Sequence, residues 1–395
     1  ALEANRGFST GWGCLFIRQP FQNCFWKGLS MTDSFIFRPI TRQEIPRLFA
    51  MIRERMAWMD EQGIRQRNVM QYDQIYPQTY YEQERQKGHV FVLEEDGMLV
   101  CGAVLKERDD RWQDDQPALY VHNFVSQTGT KGAGAVFLRY AEAYALEKGR
   151  QYLRLDSAQD NQALSRYYES LGFRAAGSCQ AGLYRGVLRQ KDLRPAAILD
   201  YLKRQYQPLA VMTYGSFADG SQNAHSDFDA LVIANGPKKH DTSTVAGTVL
   251  DVFVYPPETF ATSYDPMDFV QVFDSAIVID RDGMGAKLKN SVLETMERQP
   301  FPTREEVQEE IDWCRKMQRR SLRADAEGFY RWHWVLMDSL EIYCDACGRR
   351  YLGPKKSLAW MRKNDPAGYD LYARALKDFS QPALERWLDY LQQKL

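Results

Sequence analysis

Asp227 and Asp229 straddle one phenylalanine at the mouth of an apolar run, "DFDALVI". In an extended strand alternate side chains share a face, so both carboxylates point one way while Phe228 and Ala230 point the other. Two acids held side by side repel unless a cation sits between them, and hard oxygen donors suit Mg²⁺. A third acid, Asp251, lies inside the apolar run "TVLDVFVY", where a lone buried carboxylate is costly without a partner. Upstream, Gly215 and Ser216 follow "LAVMTY". A turn there presents backbone N–H groups and a hydroxyl, a cradle for phosphate oxygens. Asp-x-Asp alone is commonly a solvated turn. Together with the Gly-Ser turn and the later strand aspartate it is what metal-assisted nucleotidyl transfer from a triphosphate requires. His225, beside these acids, reads either as a solvated loop residue or as a phosphate contact.

A second group stands earlier. "VHNFVSQTGTKGAGAVFL" joins a strand to a helix through a glycine-rich loop, so the helix N-terminus can receive a pyrophosphate on its N–H groups. The segment "NQALSRYYESLGF" follows the next strand. No general base stands out, and His122 reads as a neutral buried histidine. Near the C-terminus, Asp338 and Glu341 are three apart on one helical face, so either can serve as base for an acceptor hydroxyl, with Glu341 ahead because it follows an apolar run. Lys355 and Lys356 read equally as an exposed basic turn or as contacts to leaving phosphates. Cys344 and Cys347 form a single C-x-x-C with no second pair, which argues against zinc.

Two resemblances follow from these residues. "GSFADGSQNAHSDFD" with Asp251 resembles the DNA polymerase β type nucleotidyltransferase superfamily, particularly the branch of aminoglycoside and lincosamide nucleotidyltransferases. It spans residues 195 to about 290 and implies metal ligation by Asp227, Asp229 and Asp251, and binding of the phosphates of ATP or another NTP by Gly215 and Ser216, with Lys355 near the leaving group. "NQALSRYYESLGF" resembles the N-x6-Y-x3-G-F ending of GNAT-type N-acetyltransferases, through Asn161, Tyr168, Gly172 and Phe173. That likeness spans most of residues 31–190. It implies that Lys131, Gly132, Ala133 and Gly134, with Asn161, hold acetyl-CoA, that the backbone of 123–125 binds the pantetheine arm, and that Tyr168 protonates the leaving thiolate. The family usually has Arg or Gln three residues before the first glycine of its G-x-G pair, and Gly129 stands there instead.

These residues need elements to position them. The pattern from Met31 is strand, helix, hairpin, strand, helix, strand, helix. Thr41 and Glu44 make a capping box, and Glu95, Asp96 and Gly97 join the hairpin. At "RGVLRQKDLRPAA" the pattern breaks into charges and a proline, which places a boundary there. Next come helix "AILDYLKRQY", strands "LAVMTY", "DALVIA" and "TVLDVFVY", and a helical tail after "RQPFPTREE". The expected fold class is α/β plus α: a GNAT-like mixed sheet with flanking helices over 31–190, a nucleotidyltransferase α/β core over 195–290 and a helical acceptor-binding domain over 300–395. Residues 1–30 read as an upstream extension.

The bulk composition agrees with several domains, since 395 residues exceed one ordinary core. Fifty-one basic and 52 acidic residues give a net charge of −1, which argues against a general nucleic-acid binder. Seven cysteines in a long chain suit a reducing, cytoplasmic setting, and no apolar stretch reaches the ~20 residues that span a bilayer. The combined reading is a bifunctional group transferase: Mg²⁺-dependent transfer of AMP from ATP to a hydroxyl of a small acceptor such as an aminoglycoside, with acetyl-CoA-dependent N-acetylation. The alternative is nucleotidyl transfer to a protein or tRNA, with an N-terminal domain that senses acetyl-CoA without catalysis. Oligomeric state is left open.

Overall fold

The computed structural model describes residues 34–64, 66–182, 184–323 and 325–395, so the extension expected at 1–30 lies outside the described residues. The strands of the first sheet are β1 (Phe35–Pro39), β2 (Val90–Glu95), β3 (Met98–Lys106), β4 (Ala118–Ser126), β5 (Tyr152–Ala158), β6 (Arg174–Ala181) and β7 (Tyr184–Asp192). They lie in the order β1-β2-β3-β4-β5-β7-β6. Only β4 and β5 pair in parallel; the other neighbours are antiparallel. The helices between them are α1 (Ile45–Glu61), α2 (Tyr72–Ile75), α3 (Gln78–Gln86), α4 (Ala133–Glu147) and α5 (Gln162–Ser170).

Local sequence explains these elements. Thr41 and Glu44 form the reciprocal capping box at the entry to α1. Asp96 and Gly97, at φ 49° and 80°, turn β2 into β3 as a two-residue hairpin with both central residues left-handed. Because strand side chains alternate, the sheet buries both faces. Leu93, Leu119 and Leu153 meet Phe137, Leu138 and Ala141 of α4, while Val90, Val92 and Val104 meet Ile45, Leu48 and Ile52 of α1.

Sequence reading passed over the last strands of this sheet. The charged stretch read as the end of the domain contains β7, inserted between β5 and β6. Its charges are concealed by pairing: Arg189 is 2% exposed and donates to Ser157 Oγ and Ser165 Oγ, both at 2.7 Å, and Lys191 binds Glu142 at 2.7 Å. A strand whose inward face is satisfied by hydroxyls and a carboxylate carries no apolar alternation for sequence reading to detect.

The second sheet follows α6 (Arg194–Tyr206). Its members are β8 (Ala210–Thr213), then α7 (Ser216–Asp219), β9 (Phe228–Ile233), β10 (Lys239–Asp241), β11 (Thr244–Val245), β12 (Thr248–Tyr255) and β13 (Ala276–Asp280). The order is β10-β12-β9-β8-β13, with β11 on β12 and only β12–β9 parallel. Ile198 and Leu202 of α6 cover Val211, Ala230 and Val252. The remaining helices are α8 (Met284–Arg298), α9 (Arg304–Ser321), α10 (Ala326–Ala346), α11 (Pro354–Asn364), α12 (Pro366–Asp378) and α13 (Gln381–Lys394). Contacts divide the chain into two compact units, one holding both sheets and ending at Asn290, the other running from Ser291 to Leu395. The helical unit has its own core around the fully buried Trp387, with Val307, Ile311, Val335 and Leu384. Among the described residues no helix is long and apolar enough to cross a membrane.

Candidate functional site

The three aspartates meet because two strands run in parallel register. Asp229 on β9 and Asp251 on β12 are direct Cα partners, and Asp227 stands one residue before β9 on the same side. Phe228, 3% exposed, points the other way and packs on Phe217 with ring centroids 5.2 Å apart. One ligand oxygen from each of Asp227, Asp229 and Asp251 lies within 4.8 Å of the others, and among the described residues this is the group of acids, histidines or cysteines placed to share an ion. Three carboxylates so close fit a divalent cation with hard oxygen preference, since without one their charges oppose each other.

Gly215 completes the floor. Its backbone, φ 68° and ψ −151°, lies in a region essentially reserved for glycine, and a Cβ there would stand 2.3 Å from Asp229 Oδ2. Glycine at this position is required by the neighbouring carboxylate as well as by any phosphate. Ser216 opens α7. The Tyr214 phenol is pushed up by burial and then by the charges of Asp229 and Asp251. His225 is exposed on the preceding loop, its backbone N–H donating to Asn223 Oδ1 at 2.8 Å.

Sequence reading passed over His240. It sits on β10, its Nε2 donates to Asp251 Oδ1 at 2.6 Å, and its ring stacks on Phe253 at 4.2 Å between centroids. The missing signal is the antiparallel pairing of β10 with β12, which joins residues eleven apart in the chain.

In the first sheet, β4 and β5 pair only over Ala118–Tyr120 and Tyr152–Arg154, then diverge. Asn123 has φ 53° and bends β4 at the divergence, so the backbone expected to bind the pantetheine arm lines a split in the sheet. Lys131 is exposed on the turn before α4, and Gly132, at φ 86°, is the N-cap residue of that helix. A Cβ on Gly134 would lie 3.0 Å from Tyr167 Oη and 3.4 Å from Phe124 Cζ, so the helix start approaches both rings closely. Asn161 accepts from the Leu164 N–H at 2.9 Å, which makes it the N-cap of α5. Tyr168 is 6% exposed in the core, ring edge against Phe173.

His122 sits in a charged network. Its Nδ1 lies 2.8 Å from Arg111 Nη2, which can only donate, so this nitrogen is the acceptor and its lone pair is occupied. Burial holds the imidazole at about 4, neutral at physiological pH. Arg111 also donates to Asp156 Oδ1 at 2.6 Å, and Tyr184 donates to Asp156 Oδ2 at 2.6 Å.

The helical unit carries a cavity of about 940 Å³. Glu306, Glu309 and Glu310 of α9 face Asp338, Glu341 and Asp345 of α10 across it, with Phe301, Trp313 and Trp334 as aromatic walls. Asp338 and Glu341 therefore share one wall, as their spacing implies. Burial, then the charges of Glu310 and Glu341, push Asp345 up to about 6. Burial and the charges of Glu341, Glu306 and Asp338 likewise raise Glu310. Lys355 and Lys356 lie on the first turn of α11 and are not among the residues lining this cavity.

The two sheets with these clefts define a protein built to move groups from activated donors, and comparison with known proteins agrees. Residues 54–173 match the acetyltransferase (GNAT) family model and residues 196–281 match the nucleotidyltransferase domain model. The chain carries a GNAT acetyltransferase domain and a nucleotidyltransferase domain and is a transferase. The uncharacterised N-acetyltransferase YesJ of Bacillus subtilis strain 168 is 23% identical over 165 residues, 39% of this chain and 90% of the relative. Among solved structures, a GNAT-family acetyltransferase from Listeria monocytogenes is similar at 21% identity and TM-score 0.34, covering 40% of this chain and 94% of that one. The PaiA N-acetyltransferase of Thermoplasma acidophilum, solved with coenzyme A, is similar at 17% identity and TM-score 0.34, covering 40% and 99%.

Proposed function

We propose that the nucleotidyltransferase half moves AMP from ATP, with Mg²⁺, onto a hydroxyl of a small polycationic acceptor such as an aminoglycoside, and that the acetyltransferase half acetylates an amine with acetyl-CoA. The observation that carries the acceptor class is the cavity of the helical unit: six carboxylates from two facing helices, with two tryptophans whose rings meet edge to face at 4.7 Å. A wall of like charges attracts several ammonium groups at once, while the aromatic faces take the apolar side of a sugar ring.

On the donor side, Gly215 and Ser216 supply a phosphate cradle, and Asp227, Asp229 and Asp251 would hold the metal. Bound there, Mg²⁺ supplies charge neutralisation for the triphosphate and the pyrophosphate leaving group. His240 steadies Asp251 through its 2.6 Å bond. On the acceptor side Glu341 or Asp338 takes the hydroxyl proton. In the acetyltransferase half, the first turn of α4 receives the pyrophosphate of acetyl-CoA, the β4 edge binds its arm, and Tyr168 returns a proton to the thiolate. His122 is unsuited as base there, because Arg111 holds its free lone pair. A cytoplasmic setting is supported by Cys101, Cys179, Cys314, Cys344 and Cys347, all free thiols.

The test is incubation with ATP, Mg²⁺ and a panel of aminoglycosides and lincosamides, reading pyrophosphate release alongside mass spectra of the products. Acceptor-dependent release is expected, lost by about 10³-fold or more in Asp227→Ala while acetyl-CoA binding persists. Equal rates for wild type and Asp227→Ala would remove the metal assignment, and no release with any cationic acceptor would remove the acceptor class.

A further inference from the structure

Arg194, the first residue of α6, is 1% exposed. A guanidinium so buried is tolerated only when its donors are paired. Its Nε and Nη2 fork onto the Asp192 carboxylate at 2.9 and 2.7 Å, and Nη2 also donates to Tyr152 Oη at 2.8 Å. These partners belong to β7 and β5 of the acetyltransferase sheet. The remaining arm reaches the other domain: Nη1 donates to the Asn223 carbonyl at 3.0 Å, and the guanidinium carbon lies 5.0 Å from the Phe217 ring centroid.

The two residues reached from the second domain are the informative ones. Phe217 follows Ser216 directly, so it fixes the short helix that begins at the phosphate cradle. Asn223 stands four residues before Asp227, on the loop that delivers the first metal acid. Phe217 also packs on Phe228, which separates Asp227 from Asp229. A single buried cation, anchored on one sheet, therefore touches both segments that set the geometry of the other active site.

We propose that Arg194 is a positioning residue for nucleotidyl transfer, holding the 217–227 segment so that Asp227 and Asp229 stay in register with Asp251. It does so from the acetyltransferase sheet, which makes that sheet part of the scaffold of the second active site. This rests on the reading of the three aspartates as metal ligands. Arg194 itself touches no reacting atom. A guanidinium suits the task because its planar fork can meet Asp192, Tyr152 and Asn223 together; a lysine ammonium keeps the charge beside Asp192 and gives up that simultaneous reach.

The experiment uses the full chain, with Arg194→Lys and Phe217→Leu. Mn²⁺ affinity is measured by electron paramagnetic resonance, kcat and KM by pyrophosphate release, and integrity by thermal unfolding and acetyl-CoA calorimetry. Both variants are expected to bind acetyl-CoA as wild type does. Arg194→Lys is expected to lose about 10-fold or more in Mn²⁺ affinity and in kcat, as loss of partners that orient metal ligands typically does, with acceptor KM unchanged. Phe217→Leu is expected to show a smaller loss of the same kind, and it decides the matter if Arg194→Lys does not fold. Wild-type Mn²⁺ affinity and kcat in a folded Arg194→Lys, or in Phe217→Leu where Arg194→Lys fails to fold, would overturn the positioning role alone. Absence of Mn²⁺ binding by the wild type would overturn the metal reading and the proposal with it.

Discussion

Replacing Gly215 by alanine tests the donor site through a single methyl group. The backbone at Gly215 occupies φ 68° and ψ −151°, and a side chain forced into such a region costs of order 1–3 kcal/mol. The new Cβ would also lie 2.3 Å from Asp229 Oδ2 and 3.0 Å from its Cγ. Ordinary van der Waals contact begins at 3.4 Å, so the carboxylate oxygen must withdraw by 3.4 − 2.3 = 1.1 Å. Asp229 cannot retreat along its strand, because its backbone carbonyl accepts from the Tyr214 N–H and its Cα is in register with Asp251. The side chain must therefore rotate away from the shared ligand position. A displacement of about 1 Å in a reacting constellation costs ~10²-fold in rate, or ~2.7 kcal/mol of transition-state stabilisation. Pyrophosphate release should fall by that order, and Mn²⁺ affinity measured by electron paramagnetic resonance should fall with it, while acetyl-CoA binding to the other half stays unchanged. A folded Gly215→Ala protein with wild-type rate and Mn²⁺ affinity would refute the placement of Asp229 in the metal site.

Two further outcomes follow from the other sites. With Asp345 raised to about 6, the folded chain holds a proton that the unfolded chain releases between the ordinary aspartate range and about 6, so this group's contribution to stability falls as pH rises through that window. A polycation needs the carboxylate charged, so its affinity should rise by up to ~10-fold between pH 5 and pH 7 with proton release on binding. Calorimetry in buffers of different ionisation enthalpy counts that proton, and zero release at pH 6 would remove Asp345 from the cation site. Tyr168→Phe keeps the ring against Phe173 and should cost only about 1 kcal/mol in thermal stability. If its hydroxyl serves the leaving thiolate, kcat for acetyl transfer drops by ~10²-fold with acetyl-CoA affinity retained, and an unchanged kcat removes that role.

The shared face of Asp227 and Asp229 was legible because a period of two puts both carboxylates on one side whatever the strand pairs with. Asp338 and Glu341 were legible for the same reason, since a spacing of three fixes a shared helical face. The apolar runs of β8 and β9 were visible as well, because strands buried on both faces leave continuous hydrophobic stretches, and β12, buried at alternate residues, was visible through its β-branched and aromatic residues. The strand β7 was not, because Arg189 and Lys191 are satisfied by partners on β5, α4 and α5 rather than by water.

The sequence by itself determined the two kinds of transferase domain and the turn residues, properties carried by short spacings and intrinsic residue preferences. Tertiary structure alone decided that Asp251 lies in register with Asp229 and is held by His240, that His122 surrenders its lone pair to Arg111, and that Glu306, Glu309 and Glu310 face Asp338, Glu341 and Asp345 across one cavity. It also decided that Arg194 binds Tyr152 and Asn223, residues 71 positions apart (223 − 152), through one guanidinium. The physical reason is common to these cases: strand register and helix packing are settled by burial summed over whole elements, and a polar pair formed across them leaves no trace in the local pattern of either partner.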